Sequence, residues 1–281
     1  MTQFLFFRTL WHGALRRSVA PPPGYYLLPF SSWYAASPDG YLLVPDLPEG
    51  VRYYSVDCGG FRYTRAGQYP FRFLDYLNWC QALWPAPLWV AMPDWVAMPD
   101  WVGMTSQCYK GWRPVPSQVL MLADVFSSKF GRHAPAQFHQ MRTAFASYAI
   151  WDLYRDAVPC WVPILQGGRD VSEYAWSAHF MKPLILEMQQ YYGALGAFRV
   201  GIGSLIRRRP QEILDIVAAV AAILPGLPLH CFGVKLRHYQ CMRFAFPSSI
   251  PEVSSDSSEW EGQRARGNVP GRKAWQESGM R

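Results

Sequence analysis

The sequence predicts an α/β protein built as a TIM-type (β/α)8 barrel, on three observations. Short apolar or aromatic runs alternate with segments of helical periodicity. Most of these runs end in an acid, an amide or a pair of glycines, the residue types that barrel strands deliver to their carboxyl ends. The chain has 281 residues, close to the roughly 250 of a single barrel. So many strand-turn-helix repeats favour a closed parallel barrel over an open sheet.

A first strand is expected at residues 25–30, bounded by Pro23-Gly24 and Ser31-Ser32, followed by a loop with Trp33 and Tyr34. A second, at 52–56, delivers Asp57 and the glycines Gly59 and Gly60. Residues 71–83 place Phe73, Leu74, Leu77, Trp79 and Cys80 near helical spacing. The next strand, 87–94, ends in Asp94, and its end is duplicated: Trp89-Val-Ala-Met-Pro-Asp94 is followed by Trp95-Val-Ala-Met-Pro-Asp100. So short a tandem is no solenoid. The extra copy must bulge into a loop, leaving Asp94 and Asp100 as candidates for one position, with the preference on Asp100 because the rest of the loop follows it directly.

Residues 105–135 read as irregular and 137–156 as a helix. The run 161–166 is a strand ending in Gln166 and closed by Gly167-Gly168, and the helix after it starts near Ser172, with Pro183 expected to kink or divide it. A strand at 198–202 leads into Gly203-Ser204-Leu205-Ile206 and three arginines, Arg207, Arg208 and Arg209. Pro210 opens a helix whose buried stripe is Ile213, Val217 and Val220, and Pro225-Gly226 stop it. A strand at 227–234 ends at Lys235, and a further short strand precedes Asp256. The expected division is an N-terminal segment 1–24, a barrel 25–260 and a weakly ordered basic tail 261–281.

Hydrophobic residues make up 50% of the chain and charged ones 17%, which describes a packed globular protein. A net charge of +7 favours a polyanionic partner. The six cysteines are scattered with no Cys-x-x-Cys pair, so neither a zinc ribbon nor a disulfide framework is indicated, and reduced thiols in a cytoplasm are expected. His230 and Cys231 are adjacent, but neighbours on a strand face opposite ways and chelate poorly. No apolar run is long enough for a membrane span, so a soluble protein without a membrane partner is expected. Residues 1–38 carry arginines and no acid, superficially like an organellar transit peptide, although Phe4 to Phe7 and Pro21 to Pro23 suit an ordinary N-terminal segment.

In a barrel, Asp57, Asp94 or Asp100, Gln166, Gly203-Ser204, Lys235 and Asp256 converge on one face. Carboxylates accept from ring N–H and amino groups, an amide does both, and glycine N–H can meet a carbonyl, so the set can read a hydrogen-bonding heterocycle. Six pieces in this order, Asp57-Cys58-Gly59-Gly60-Phe61, the Met-Pro-Asp-Trp stretch, Ile164-Leu165-Gln166-Gly167, Val200-Gly201-Ile202-Gly203-Ser204-Leu205, Phe232-Gly233-Val234-Lys235 and Asp256-Ser257-Ser258-Glu259-Trp260, resemble the tRNA-guanine transglycosylase superfamily. The resemblance runs from about Tyr25 to Trp260 and is nearer to the branch that inserts 7-deazaguanines into DNA.

That resemblance implies roles. Asp256 is the nucleophile that forms a glycosyl-aspartate and Asp57 the general acid/base. Asp94 or Asp100, Gln166, Gly167, Gly203, Ser204 and Leu205 bind the base. Arg207, Arg208, Arg209, Lys235 and Arg237 contact nucleic acid, and Trp33, Tyr34 and Trp101 are candidates for stacking on a base, with core packing the simpler reading of each. The implied activity is exchange of guanine in DNA for 7-cyano-7-deazaguanine or an analogue, with DNA, the free base and accessory DNA-modification proteins as partners and no redox cofactor. A tRNA-acting enzyme and an inactive nucleic-acid-binding relative are the alternatives. The chain departs from the family where its members carry a Cys-x-Cys-x-x-Cys and His zinc site: residues 262–281 hold no cysteine or histidine. No metal site is therefore expected, and with no eighth βα unit evident the barrel is expected to be incomplete at its C-terminal end.

Overall fold

The computed structural model describes residues 2–10, 24–34, 44–47, 51, 53–59, 71–94, 135–206, 208–242 and 244–257. Their strands are β1 (Gln3–Thr9), β2 (Tyr25–Pro29), β3 (Tyr53–Asp57), β4 (Val90–Ala91), β5 (Trp161–Val162), β6 (Ile164–Leu165), β7 (Val200–Ile202), β8 (Leu229–Cys231) and β9 (Glu252–Ser257). The helices are α1 (Phe30–Tyr34), α2 (Phe73–Ala82), α3 (Pro135–Tyr154), α4 (Val171–Tyr192), α5 (Pro210–Ile223) and α6 (Leu236–Met242). All pairings are parallel, in the order β5-β4-β3-β2-β1-β9-β8-β7-β6.

The two outer segments, β5 and β6, are separated in sequence by Pro163 alone. They are halves of one strand. Proline has no N–H to give to the ladder, but the Pro163 carbonyl still accepts from the Gly201 N–H at 2.9 Å. Counting β5 and β6 together, the nine segments make eight strand positions in a ring completed by the chain at Pro163. The barrel is therefore not short of a strand. The missing one is β1, which lies in the segment expected to precede the barrel, so the barrel begins at Gln3 and β9 pairs back onto it.

The barrel interior is filled by aromatic rings from strands that are distant in sequence. Phe7 lies 5.6 Å from Trp89 and 5.5 Å from His230, ring centre to centre, and Trp89 lies 5.0 Å from His230. Outside, α4 runs unbroken through Pro183, which neither divides it nor ends it. An internal proline costs about 3 kcal/mol. Burying Met181, Leu184, Ile185 and Met188 on the same helix returns about 1.5–3 kcal/mol each, so packing wins. The helix starts follow sequence chemistry. The Asp170 N–H donates to Glu173 at 2.9 Å at the head of α4, and the Arg209 N–H donates to Glu212 at 2.7 Å at the head of α5, where Pro210 takes the first turn. No described helix is long and apolar enough to cross a membrane.

Candidate active site

Parallel strands place their carboxyl ends on one face. Asp57 is the last residue of β3, Asp94 follows β4, Gln166 follows β6, Gly203-Ser204 follow β7, Gly233 follows β8, and Asp256 lies near the end of β9. The donor atoms of Asp57, Cys58 and Asp94 lie within 4.8 Å of one another. Asp57 and Asp256 stand at the carboxyl ends of strands in the same parallel sheet, and repulsion from Asp256 helps to hold the Asp57 carboxyl above its usual range.

A directional hydrogen-bond chain crosses the pocket. The Ser204 hydroxyl donates to Gln166 Oε1 at 2.6 Å, Gln166 Nε2 donates to Asp94 Oδ2, and the Cys58 thiol donates to Asp94 Oδ1 at 3.4 Å. Each link fixes the next, so the Gln166 amide has one orientation: oxygen toward Ser204, nitrogen toward Asp94. Gly203 makes this possible. A Cβ there would lie 2.2 Å from Gln166 Nε2, so only glycine lets the amide lie against the backbone. Asp94, three residues past the end of β4, meets Gln166; the other tandem acid, Asp100, lies outside the described residues.

Ser204 sits at φ 56°, a left-handed conformation costing a serine about 1–3 kcal/mol. Arg208 and Tyr174 hold it there. Arg208 Nε donates to the Ser204 carbonyl at 3.1 Å, and the Tyr174 hydroxyl lies 3.1 Å from the Gly203 carbonyl and 3.2 Å from that of Ser204. The rest of the Arg208 guanidinium reaches the carbonyls of Gly168 and Arg169 and covers the Tyr174 ring. Arg208 is thus buried and turned inward, which corrects its expected place among the phosphate-facing arginines. Arg208→Met should cost about 2–4 kcal/mol of unfolding free energy in a denaturant titration, because three carbonyls lose a charged donor. It should leave the salt dependence of nucleic-acid affinity unchanged. A variant of wild-type stability whose salt slope falls by about one would return Arg208 to the phosphate-contact role.

The other expected residues divide. Arg209 is exposed and pairs with Glu212, Arg237 is exposed on α6, and Lys235 is half-buried at its start. Leu205 is buried in the core. A Cβ on Gly167 would meet the Tyr174 ring at 2.3 Å, so this glycine serves the approach of α4. Trp33 is buried and Tyr34 packs on the core, which replaces stacking on a base for both. Arg207 and Trp101 lie outside the described residues, as do Gly60 and residues 258–281.

Burial pushes the Asp57 carboxyl up to about 8, helped by repulsion from Asp94 and Asp256 and opposed by hydrogen bonds from the Gly59 N–H and Cys58. Burial raises Asp94 to about 6, against the donors Cys58 and Gln166. At neutral pH, Asp57 therefore carries a proton and Asp94 is largely ionised. Among the described residues, Asp57, Cys58 and Asp94 are the one group able to ligate a cation. Each Asp94 oxygen accepts one hydrogen bond, from Cys58 or from Gln166, and keeps a lone pair for a further donor.

Asp256 has different company. Its Oδ1 accepts from the Gly233 N–H at 2.9 Å and lies 3.3 Å from His230 Nε2. Gly233 sits at φ +72°, which suits glycine and turns its N–H to the carboxylate. His230 was set aside in the sequence as half of a poor chelating pair. Its signal was alternation: His230 sits opposite Ser254 in the ladder, and Asp256 shares the face of Ser254. Comparison with models of protein families finds no match, and a search of curated proteins finds none.

Proposed function

We propose that this chain is a transglycosylase that exchanges guanine in DNA for a 7-deazaguanine through a covalent glycosyl-aspartate. The observation that carries the reading is the presence, at strand ends on one face, of two carboxyl groups with unlike surroundings. Asp256 has Oδ1 held by Gly233 and His230, while Oδ2 has no described partner and is left to attack. Asp57, within electrostatic reach, holds a proton at neutral pH.

The groups fit the two half-reactions. Oδ2 of Asp256 attacks C1′ of a deoxyguanosine as the C1′–N9 bond breaks, its electron pair leaving with guanine, which takes the Asp57 proton. The incoming 7-deazaguanine gives its N9 proton to the Asp57 carboxylate, attacks C1′ and expels Asp256. Proton and electrons balance with no redox partner. The Ser204-Gln166-Asp94 chain presents acceptor and donor groups fixed in advance, which suits the planar edge of a purine better than the scattered hydroxyls of a sugar.

The net charge of +7 suits either nucleic acid. DNA is preferred because 203–208 and 256–260 resemble the DNA-acting branch. The test incubates the protein with radiolabelled guanine and, separately, duplex DNA, single-stranded DNA and tRNA. Label is expected in DNA. Label in tRNA alone would overturn the substrate, and label in none would overturn the base-exchange reading.

A further inference from the structure

A second hydrogen-bonded chain runs along the barrel interior beneath Asp256. Arg199 pairs with Glu252 at 2.5 Å, and its NH1 also donates to Ser254 Oγ at 3.1 Å. Ser254 Oγ lies 2.9 Å from His230 Nδ1, and His230 Nε2 lies 3.3 Å from Asp256 Oδ1. His230 is fully buried, with the rings of Phe7, Trp89 and Phe232 around it, the last at 4.4 Å. Phe232 owes its place to Gly201, where a Cβ would come within 2.6 Å of that ring.

Donor and acceptor rules give this chain one direction. An arginine can only donate, so Ser254 Oγ accepts from Arg199, which leaves its proton for His230 Nδ1 or for the more distant Leu229 carbonyl at 3.3 Å. A carboxylate can only accept, so Nε2 must carry the hydrogen that faces Asp256. Arg199, Glu252 and Asp256 are the charged groups acting on the ring, and burial together with Arg199 disfavours a second proton on it.

We propose that His230, held by Ser254 and Arg199, is a positioning residue: as the neutral Nε2–H tautomer it pins Asp256 Oδ1 and so selects Oδ2 as the attacking oxygen. The proposal rests on the transglycosylase reading for its consequence, not for its geometry. A hydrogen-bonded imidazole that orients a carboxylate, with its tautomer set from behind, reverses the usual order in which a carboxylate orients a histidine. It stabilises the ground-state geometry without neutralising the nucleophile.

The decisive measurement is the ¹⁵N spectrum of the ring in the full-length protein, assigned with His230→Gln. The expected signature is protonated Nε2 and bare Nδ1 at neutral pH, with Ser254→Ala producing a mixture of tautomers. A ring protonated at Nδ1, or an imidazolium at neutral pH, would overturn the proposal whether or not the protein exchanges bases. In the exchange assay, His230→Leu should lower kcat about a hundredfold with little change in KM for the base, and His230→Gln, which keeps a donor, should recover most of it. Should His230→Leu fail to fold, Ser254→Ala is expected to lower kcat about tenfold. Variants with wild-type kcat would also overturn the proposal, whereas a wild type inactive on every nucleic acid, with the tautomer as expected, would overturn only the function.

Discussion

Asp256→Asn is expected to abolish base exchange and leave the barrel folded. The amide has the shape of the carboxylate, and its oxygen can still accept from the Gly233 N–H and from His230 Nε2, so both hydrogen bonds at Oδ1 survive. What it lacks is a second oxygen able to form the ester bond to C1′. Loss of a covalent nucleophile should lower the exchange rate at least about a thousandfold. Affinity for DNA should change little, because Asp256 is mostly buried at the foot of the pocket. The clearest readout is the intermediate itself: wild type mixed with DNA and quenched in denaturant should show a band of protein bound covalently to DNA, absent from Asp256→Asn. Asparagine at the wild-type rate would sink the mechanism. Wild type that binds DNA without ever forming the band would instead describe an inactive nucleic-acid-binding relative.

The parts of this site that could be read in the sequence are those at transitions. Asp57 and Gln166 each stand where an apolar run stops, Asp256 lies in the short Asp-Ser-Ser-Glu-Trp stretch at the end of a final strand, and a parallel barrel gathers such ends at one face whatever the detail of its packing. Strand β1 was missed for the converse reason. The run Gln3–Thr9 has no turn residues framing it, and it carries Arg8, whose burial depends on a contact made in the fold: its guanidinium reaches the Tyr26 hydroxyl on the neighbouring strand. His230 lies inside a strand, and its meeting with Asp256 depends on the ladder register of β8 and β9, a long-range property that a single sequence does not display. Arg208 and Arg209 are adjacent in sequence, yet one is packed against backbone carbonyls and the other caps a helix in solvent. The turn after β7 decides which points inward, and that turn is set by the left-handed Ser204. Likewise, two copies of Met-Pro-Asp are equivalent on paper, and the contact of Asp94 with Gln166, 72 residues on, is visible only in the fold.

Asp57→Asn should lower exchange about a hundredfold to ten-thousandfold, the range for a general acid/base, while the adduct with Asp256 forms slowly rather than not at all. The reason is its proton. With Asp57 raised to about 8 and Asp94 to about 6, the wild-type profile of kcat/KM should be a bell with limbs near those values. The acid limb marks protonation of Asp94, which must accept from the base, and the alkaline limb marks loss of the Asp57 proton needed by departing guanine. The limbs belong to the interacting pair, and Asp57→Asn should erase the alkaline one. Stability supplies an independent reading with a definite sign. The folded chain keeps the Asp57 proton up to about 8 while an unfolded aspartate releases it near 3.8, so the folded state binds more protons through that window and becomes less stable as pH rises through it. Denaturant titrations at pH 5 and pH 9 should show Asp57→Asn gaining on wild type by about 2–4 kcal/mol at the higher pH, a figure reduced from the full shift for the solvent that reaches the pocket. An exchange optimum above pH 9, or wild-type and Asp57→Asn stabilities that run parallel across this range, would show that Asp57 is ionised in the resting pocket and is no proton donor to guanine.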